Sequence, residues 1–198
     1  MKIVVYDLNQ TLYKKSSKDS FFKFVCYKKE LKIFYLFQLF WFQFLNKTNL
    51  IGKTTFKENF YNYLNGLPPE TVEKYAKQFW EIEFPDLFNK KMLADIERFY
   101  SEGINIYIVT GGFEVYTKYL EKLLPVKVMG TQTKYENGTY KIIGEACNGE
   151  EKLKRLNTEI PQGYEFLEAY SDKKEPILYE AEKGYFVEDE KITLIHEK

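Results

Sequence analysis

The chain has 198 residues, long enough to bury one core and carry a small subdomain, and its 29 basic and 29 acidic side chains balance. Balanced charge gives no general support to nucleic-acid binding, so no nucleic-acid partner is expected. Cys26 and Cys147 lie far apart in the sequence and form neither a metal-site spacing nor a disulfide framework, which favours a reducing cytoplasm.

A β-branched run begins almost at the N-terminus. Residues 2–6 predict a buried strand whose carboxyl end delivers Asp7 into a loop. No basic and apolar leader precedes this run, so no cleaved signal peptide is expected. From about Asp19 to Phe88 the pattern predicts helices, and Pro68 and Pro69 mark the start of the last one.

The remaining chain alternates strands with helices. In chain order, the pattern predicts a helix at 89–103, a strand at 104–112, a helix at 114–124, a hairpin turning at Asn137-Gly138, a helix at 149–157, a strand at 164–172, and short strands at 184–189 and 191–197. This order predicts a doubly wound, largely parallel, Rossmann-like α/β sheet with an all-helical insertion after the first strand. We assign residues 1–13 and 89–198 to the core and residues 14–88 to a helical cap.

Polar side chains follow three of the predicted strands. Asp7, Thr110 and Asp172 each come at or just after the end of a buried run, and Lys152 lies at the start of a helix. Groups at the carboxyl ends of parallel strands converge on one crevice, so we expect these four side chains to meet. A nucleophilic carboxylate, a second carboxylate for a divalent cation, and a lysine with a hydroxyl for a phosphoryl group together indicate phosphoryl transfer.

Four segments, in order, resemble known motifs: "DLNQTL" at Asp7, "VTGG" at Thr110, "GEEKLKRL" at Lys152 and "EAYSD" at Asp172. Together they resemble the haloacid dehalogenase-like superfamily, and most closely its phosphoserine-phosphatase-like branch, subfamily IB, with a C1-type helical cap. The segment "KDSFFKF" also resembles the entry to that cap. The resemblance covers nearly the whole chain.

This resemblance implies a role for each residue. Asp7 would attack phosphorus and form an aspartyl-phosphate, while Mg²⁺ would be held by Asp7, by the backbone carbonyl of Asn9 and by Asp172. Lys152 would offset negative charge on Asp7 and the phosphate. Thr110 and the Gly111 amide would bind phosphate oxygens. Clustered carboxylates need such a cation and lysine to remain ionised together.

Two residues depart from the family pattern. Asn9 occupies the position of a second acid, which normally protonates the leaving group and activates water, and an amide does neither at neutral pH. Glu175 comes three residues after Asp172, whereas the family usually has another acid about four residues after it. Two interpretations of Glu175 stay open: it replaces that acid, or it is an ordinary solvated charge.

The predicted cap is basic and aromatic. Residues 14–58 contain ten lysines and three acidic residues, which favours an anionic substrate or surface. The run from Leu31 to Leu45 is apolar nearly all round but too short for a bilayer, which needs about 20 residues. It is either a buried cap helix or dimer face, or an interfacial helix that contacts a membrane peripherally and suits a lipid phosphate.

Three functional hypotheses remain. The leading one is a Mg²⁺-dependent phosphomonoesterase that acts on a phosphorylated small molecule through Asp7. The second is a catalytically weakened relative that binds a phosphorylated ligand or a partner, and Asn9 is its main support. The third is a non-phosphate hydrolase such as a dehalogenase, because those relatives also lack the second acid.

Overall fold

The computed structural model describes residues 1–29 and 53–198, together with residues 35, 38, 41, 44, 45, 48 and 50. The aromatic run from Leu31 to Leu45 therefore lies largely outside the described residues, and both interpretations of it stay predictions. Within the described part of the chain, no helix has the length and apolar composition needed to span a membrane.

Eight strands form a central sheet and a separate hairpin. They are β1 (Lys2–Tyr6), β2 (Asn105–Phe113), β3 (Lys127–Thr131), β4 (Thr133–Glu136), β5 (Thr139–Ile142), β6 (Glu165–Ser171), β7 (Lys183–Glu188) and β8 (Lys191–Glu197). The central sheet has six strands in the order β3-β2-β1-β6-β7-β8, and only the β7-β8 pair is antiparallel. This confirms the predicted doubly wound, largely parallel α/β sheet. The chain moves outward in both directions from β1, so the crevice for a ligand is expected at the carboxyl end of β1.

Seven α-helices are described alongside the sheet. They are α1 (Ser17–Lys28), α2 (Lys53–Phe60), α3 (Pro69–Glu83), α4 (Lys90–Ser101), α5 (Glu114–Thr117), α6 (Glu150–Glu159) and α7 (Pro176–Glu180), with 3₁₀ turns at Tyr61–Leu64 and Lys118–Lys122. The helix α3 begins at Pro69, as the two prolines predict, because proline suits the first helical turn. The helix α4 begins after Asn89, whose side chain accepts hydrogen bonds from two backbone amides of its first turn.

The predicted helix at 114–124 is wrong in its second half. Only α5 is α-helical there, and the chain continues as a 3₁₀ turn. The indole Nε1–H of Trp80 donates to the carbonyl oxygen of Tyr116 at 2.6 Å, and in a continued α-helix this oxygen would accept from the amide of Leu120. A contact with the distant helix α3 therefore competes for a carbonyl that a longer helix needs.

The predicted hairpin is confirmed and packs against the helical segment. Asn137 and Gly138 both have positive φ, at 50° and 77°, as a two-residue hairpin turn requires. The hydroxyl of Tyr140 donates to the carbonyl of Leu67 at 2.9 Å, and the amide of Ile142 donates to Glu58 Oε1 at 2.8 Å. The first bond joins the hairpin to Leu67, after the 3₁₀ turn at Tyr61–Leu64, and the second joins it to Glu58 of α2.

Stacked aromatic rings pack the helical segment against the end of β2. Tyr61 stacks on Phe113 with ring centroids 3.8 Å apart, and Phe21 stacks on Tyr116 at 4.6 Å. The hydroxyl of Tyr116 also lies 3.0 Å from Ser17 Oγ and 3.1 Å from the Tyr61 hydroxyl. The buried contacts therefore place α1 and the 3₁₀ turn at 61–64 next to the carboxyl end of β2.

Candidate functional site

Asp7 lies at the centre of the sheet, directly after β1. Its backbone amide donates to the carbonyl of Tyr170 in the neighbouring strand β6 at 2.8 Å. Asp7 is buried, with 6% of the residue exposed. The carboxylate is therefore held by two parallel strands at the point where a doubly wound sheet opens its crevice.

Lys152 is the buried partner of two carboxylates. Its Nζ donates to Asp7 Oδ1 at 2.7 Å and to Glu175 Oε1 at 2.5 Å, and the Lys152 residue is 4% exposed. Burial lowers the pKa of Lys152, but the charges of Asp7 and Glu175 and their hydrogen bonds more than offset this effect, so the pKa is raised. Lys152 stays positively charged and compensates the negative charge of the site.

Glu175 is not a solvated charge. Its side chain is buried, and its Oε1 accepts from Lys152 and also from Ser171 Oγ, at 2.7 Å. The following Pro176 begins the short helix α7, which turns the chain so that Glu175 points back into the site. The solvated interpretation is therefore wrong, whereas a functional role for Glu175 stays a prediction. Ser171 was missed, although it directly precedes Asp172 in the "EAYSD" segment.

The negative charge of Asp7 affects the pKa of the Asp172 carboxyl. The pKa of Asp172 is raised to about 6, first by burial and second by the negative charge of Asp7, while the charges of Lys173 and Lys152 act in the opposite direction. Its Oδ1 is buried without a hydrogen-bond partner among the described residues. A buried, unpartnered carboxylate oxygen beside a second carboxylate is suited to a hard divalent cation.

The side chains by themselves do not complete a metal site. Among the described residues, no group of three or more histidine, cysteine, aspartate and glutamate side chains is arranged to hold an ion. The predicted set contains only two carboxylates, Asp7 and Asp172, and adds the backbone carbonyl of Asn9. That carbonyl accepts a long hydrogen bond from Thr11 Oγ1, at 3.4 Å, and its second lone pair remains for another donor or an ion. The donor set is all oxygen, which fits Mg²⁺.

The amide of Asn9 connects α1 to β2. Its Oδ1 accepts from the backbone amide of Ser17 at 2.7 Å, and its Nδ2 donates to Thr110 Oγ1 at 3.3 Å. The first bond settles which amide atom is oxygen, because the backbone N–H of Ser17 can only donate. Asn9 therefore lies in the site but has no proton to exchange with a substrate.

Thr110 is placed by the same contacts. Its Oγ1 accepts from Asn9 Nδ2 and from the backbone amide of Gly112, at 3.2 Å, so its own hydroxyl hydrogen is available for another acceptor. Gly112 is required because an added Cβ would lie 2.6 Å from the hydroxyl of Tyr116. The carbonyl of the intervening Gly111 accepts from Thr131 Oγ1 at 3.0 Å, which anchors this end of β2 on β3.

One pocket of about 520 Å³ joins most of these groups. From the predicted set it is lined by Asp7, Asn9, Gly111, Lys152 and Glu175. Thr110 and Asp172 do not line this pocket. Thr110 is fully buried and is joined to the lining residue Asn9 by a hydrogen bond, and the charge of Asp7 raises the pKa of Asp172. The structure therefore brings the predicted residues to one edge of the sheet, as the strand-end argument requires. The aromatic wall of the pocket, which includes Phe56 and Phe60, was missed because helical spacing indicates only a buried face.

Comparison with known proteins agrees with this fold. A family model described as haloacid dehalogenase-like hydrolase matches residues 4–174. This match covers most of the chain, and the chain therefore belongs to the haloacid dehalogenase-like hydrolase family. No curated protein matches the sequence.

Solved structures similar to this chain have low sequence identity. A protein of unknown function from Bordetella pertussis Tohama I has a TM-score of 0.76 and 16% identity, covering 88% of this chain and 83% of that chain. A phosphoserine phosphohydrolase-like protein from Francisella tularensis has a TM-score of 0.60 and 18% identity, covering 88% and 80%. A probable phosphoserine phosphatase from Vibrio cholerae has a TM-score of 0.63 and 13% identity, covering 89% and 52%. At these identities the likenesses concern the fold alone, which agrees with the predicted resemblance to the phosphoserine-phosphatase-like branch.

Proposed function

We propose that this haloacid dehalogenase-like hydrolase is a phosphomonoester phosphatase that acts through Asp7. The observation that carries the proposal is the buried pair of Asp7 and Lys152, whose Oδ1 and Nζ lie 2.7 Å apart at the bottom of an open pocket. The Lys152 ammonium compensates the negative charge of the Asp7 carboxylate through a charge-assisted hydrogen bond, and a carboxylate oxygen can act as a nucleophile. The same lysine offsets charge that an incoming phosphate adds.

The proposed reaction has two steps. In the first, an Asp7 oxygen forms a bond to phosphorus while the bond between phosphorus and the leaving-group oxygen breaks, giving an aspartyl-phosphate. The leaving oxygen takes its proton from water, because the Asn9 amide is not an acid. In the second, a water oxygen attacks phosphorus, releasing inorganic phosphate and restoring the Asp7 carboxylate.

The phosphate is bound by neutral donors and one cation. The hydroxyl hydrogen of Thr110 and the backbone amide of Gly111 are proposed to donate to phosphate oxygens, with Lys152 on the same side. Fixed donors of this kind stabilise charge that develops on the transferring group. Removal of one such donor typically costs about 100- to 1,000-fold in turnover.

Asp7, Asp172 and the Asn9 carbonyl are proposed to hold Mg²⁺. When bound, this ion supplies positive charge that offsets two carboxylates and the phosphate. The unpartnered Oδ1 of Asp172 supports this assignment, because a buried carboxylate oxygen without a partner is costly in the absence of a cation.

Asn9 predicts slow turnover. A missing general acid and base typically costs about 100- to 10,000-fold in rate. The second candidate function, a protein that binds a phosphorylated ligand with little or no hydrolysis, is favoured by the same residue. Both polar atoms of the Asn9 side-chain amide are engaged in hydrogen bonds that hold α1 and β2 together, so its position has a structural use independent of proton transfer.

The test is direct detection of the covalent intermediate. The protein is incubated with an aryl phosphate and Mg²⁺ and then treated with borohydride, which reduces an acyl phosphate at position 7 to homoserine. Peptide mass spectrometry should find this conversion in the parent protein. In Asp7→Asn both the conversion and phosphate release should be lost.

A matched control separates the role of Asp7 from a general loss of acidic charge. Asp86 is exposed on the loop between α3 and α4, so Asp86→Asn should retain parent phosphate release and labelling. Phosphate release by folded Asp7→Asn at the parent rate would contradict the proposal. Phosphate binding without release or labelling in the parent would favour the binding function.

A further inference from the structure

One wall of the pocket that Asp7 lines is aromatic. Phe56 and Phe60 of α2 line it, with ring centroids 6.1 Å apart, and Tyr61 follows them. Phe56 is partly exposed, whereas the Tyr61 ring is held in place by its stack on Phe113. Uncharged polar residues also line the pocket, among them Gln10, Ser16 and Asn148. The aromatic rings therefore form one apolar wall that the group attached to a bound phosphate would contact.

The charged groups of the pocket do not suit a cationic substituent. The carboxylates among its described lining residues are Asp7 and Glu175, and both are bound to Lys152. Apart from Lys152, the positively charged side chains of this lining are those of Lys18, Lys173 and Lys174. An ammonium group on the substrate would gain no unpaired carboxylate in this part of the structure and would meet like charge.

Lys18 contributes to the apolar wall through its position. Its Nζ lies 4.4 Å from the centroid of the Phe60 ring and 2.9 Å from Asp19 Oδ1. The ammonium is therefore occupied by an aromatic face and by a carboxylate outside the pocket lining. Its aliphatic stem is left to add apolar surface beside Phe60.

We infer that the pocket selects phosphomonoesters whose organic part is apolar and lacks an ammonium group. This inference rests on the proposed function of the same site and extends it to the substrate class. The pocket volume of about 520 Å³ lies within the range of small-molecule sites, so a phosphate and a short alkyl or aryl group fit together. Such a substrate comes either from a free alkyl or aryl phosphate or from the phosphate headgroup of a lipid.

Binding of phosphonates tests the inference without requiring hydrolysis. Calorimetry measures the affinity of the parent protein with Mg²⁺ for methyl-, propyl- and hexylphosphonate. These compounds carry a phosphonate in place of the phosphate, and water does not cleave their bond between phosphorus and carbon. Each fully buried methylene is expected to tighten binding about fourfold, so the series should span at least about tenfold. The amino-acid phosphonate 2-amino-4-phosphonobutanoate should bind no more tightly than propylphosphonate.

Two variants assign the effect to the aromatic wall. Phe56→Ala should flatten the dependence on chain length, because it should weaken the binding of hexylphosphonate by a larger factor than the binding of methylphosphonate. Phe24→Ala is the matched control, because Phe24 is a half-buried phenylalanine of α1 that packs on Tyr75 and Phe79 and does not line the pocket. Circular dichroism confirms that both variants are folded, and the control should keep the full chain-length dependence.

The outcomes separate this inference from the proposed function. Affinity that does not rise with chain length, or tighter binding of the amino-acid phosphonate, would overturn the inference even if phosphatase activity is found. Chain-length selectivity without any phosphate release would support the inference and reject the phosphatase proposal. Phosphate release from a monomeric short-chain phosphatidate, compared with the same headgroup in vesicles, then identifies the source, and either result supports an apolar organic part.

Discussion

Replacing Asn9 by aspartate should supply the acid and base that the proposed phosphatase lacks. The carboxylate has almost the same shape as the amide, so one oxygen can still accept from the backbone amide of Ser17, now 2.7 Å from Asn9 Oδ1. The other oxygen replaces Nδ2, and the Thr110 hydroxyl can reverse its bond and donate to it. The hydrogen-bonded connection between α1 and β2 is therefore expected to survive.

The electrostatic cost of the new charge is partly offset. A carboxylate at position 9 lies at the N-terminus of α1, where negative charge is typically stabilised by about 0.3 to 1 kcal/mol. Asp7 and Asp172 act in the opposite direction, and Mg²⁺ would reduce that repulsion. We therefore expect the folded variant to need Mg²⁺ for activity at least as strictly as the parent.

The expected gain in turnover is at least about tenfold, below the range typical of general acid and base catalysis because Thr110 loses part of its freedom to bind phosphate. The gain should be largest for alkyl phosphates, whose leaving oxygen needs a proton. The phenolate of an aryl phosphate leaves readily without a proton, so the parent should already show a burst of phenol followed by slow phosphate release. Stopped-flow absorbance and a phosphate assay measure the two steps separately.

A clear result would refute this reasoning. If the parent and the folded Asn9→Asp variant show equal, negligible phosphate release from both substrate types with Mg²⁺ present, proton transfer at position 9 is not what limits turnover. The binding function would then be favoured. The altered loop that contains Glu175 would be the next part of the site to examine.

Three further predictions follow from the same geometry. Lys152→Met should destabilise the fold by about 3 to 5 kcal/mol in urea unfolding, because Asp7 loses its cationic partner in a buried site, and a loss below about 1 kcal/mol would show that the pair is hydrated. Gly112→Ala should weaken inorganic phosphate binding measured by calorimetry, and adding Tyr116→Phe should recover part of it, since the added Cβ meets the Tyr116 hydroxyl at 2.6 Å; no recovery would place the strain elsewhere. Asp172→Asn should raise the Mg²⁺ concentration for half-maximal activity at least about tenfold, whereas an unchanged Mg²⁺ titration would remove Asp172 from the ion site.

The sequence by itself determined the sheet and the residues at its carboxyl edge. The apolar runs of β1 and β2 are continuous and local, β6 ends in an apolar pair before Ser171, and the topology of parallel strands brings the three strand ends together whatever the connections are. Asp7, Thr110 and Asp172 could therefore be assigned to one edge before any contact was known. The chemistry missing at Asn9 was equally visible, because it depends on residue type alone.

Tertiary structure decided what the side chains do with one another. Glu175 was ambiguous in sequence because its position after Asp172 differs by one residue from the family spacing, and only the turn into α7 directs it onto Lys152. The aromatic wall was hidden for a similar reason, since helical periodicity indicates that Phe56 and Phe60 are apolar positions but not which surface they face. Local patterns record backbone preference and burial, whereas partner choice depends on residues that are distant in the chain, such as the Trp80 indole that ends α5.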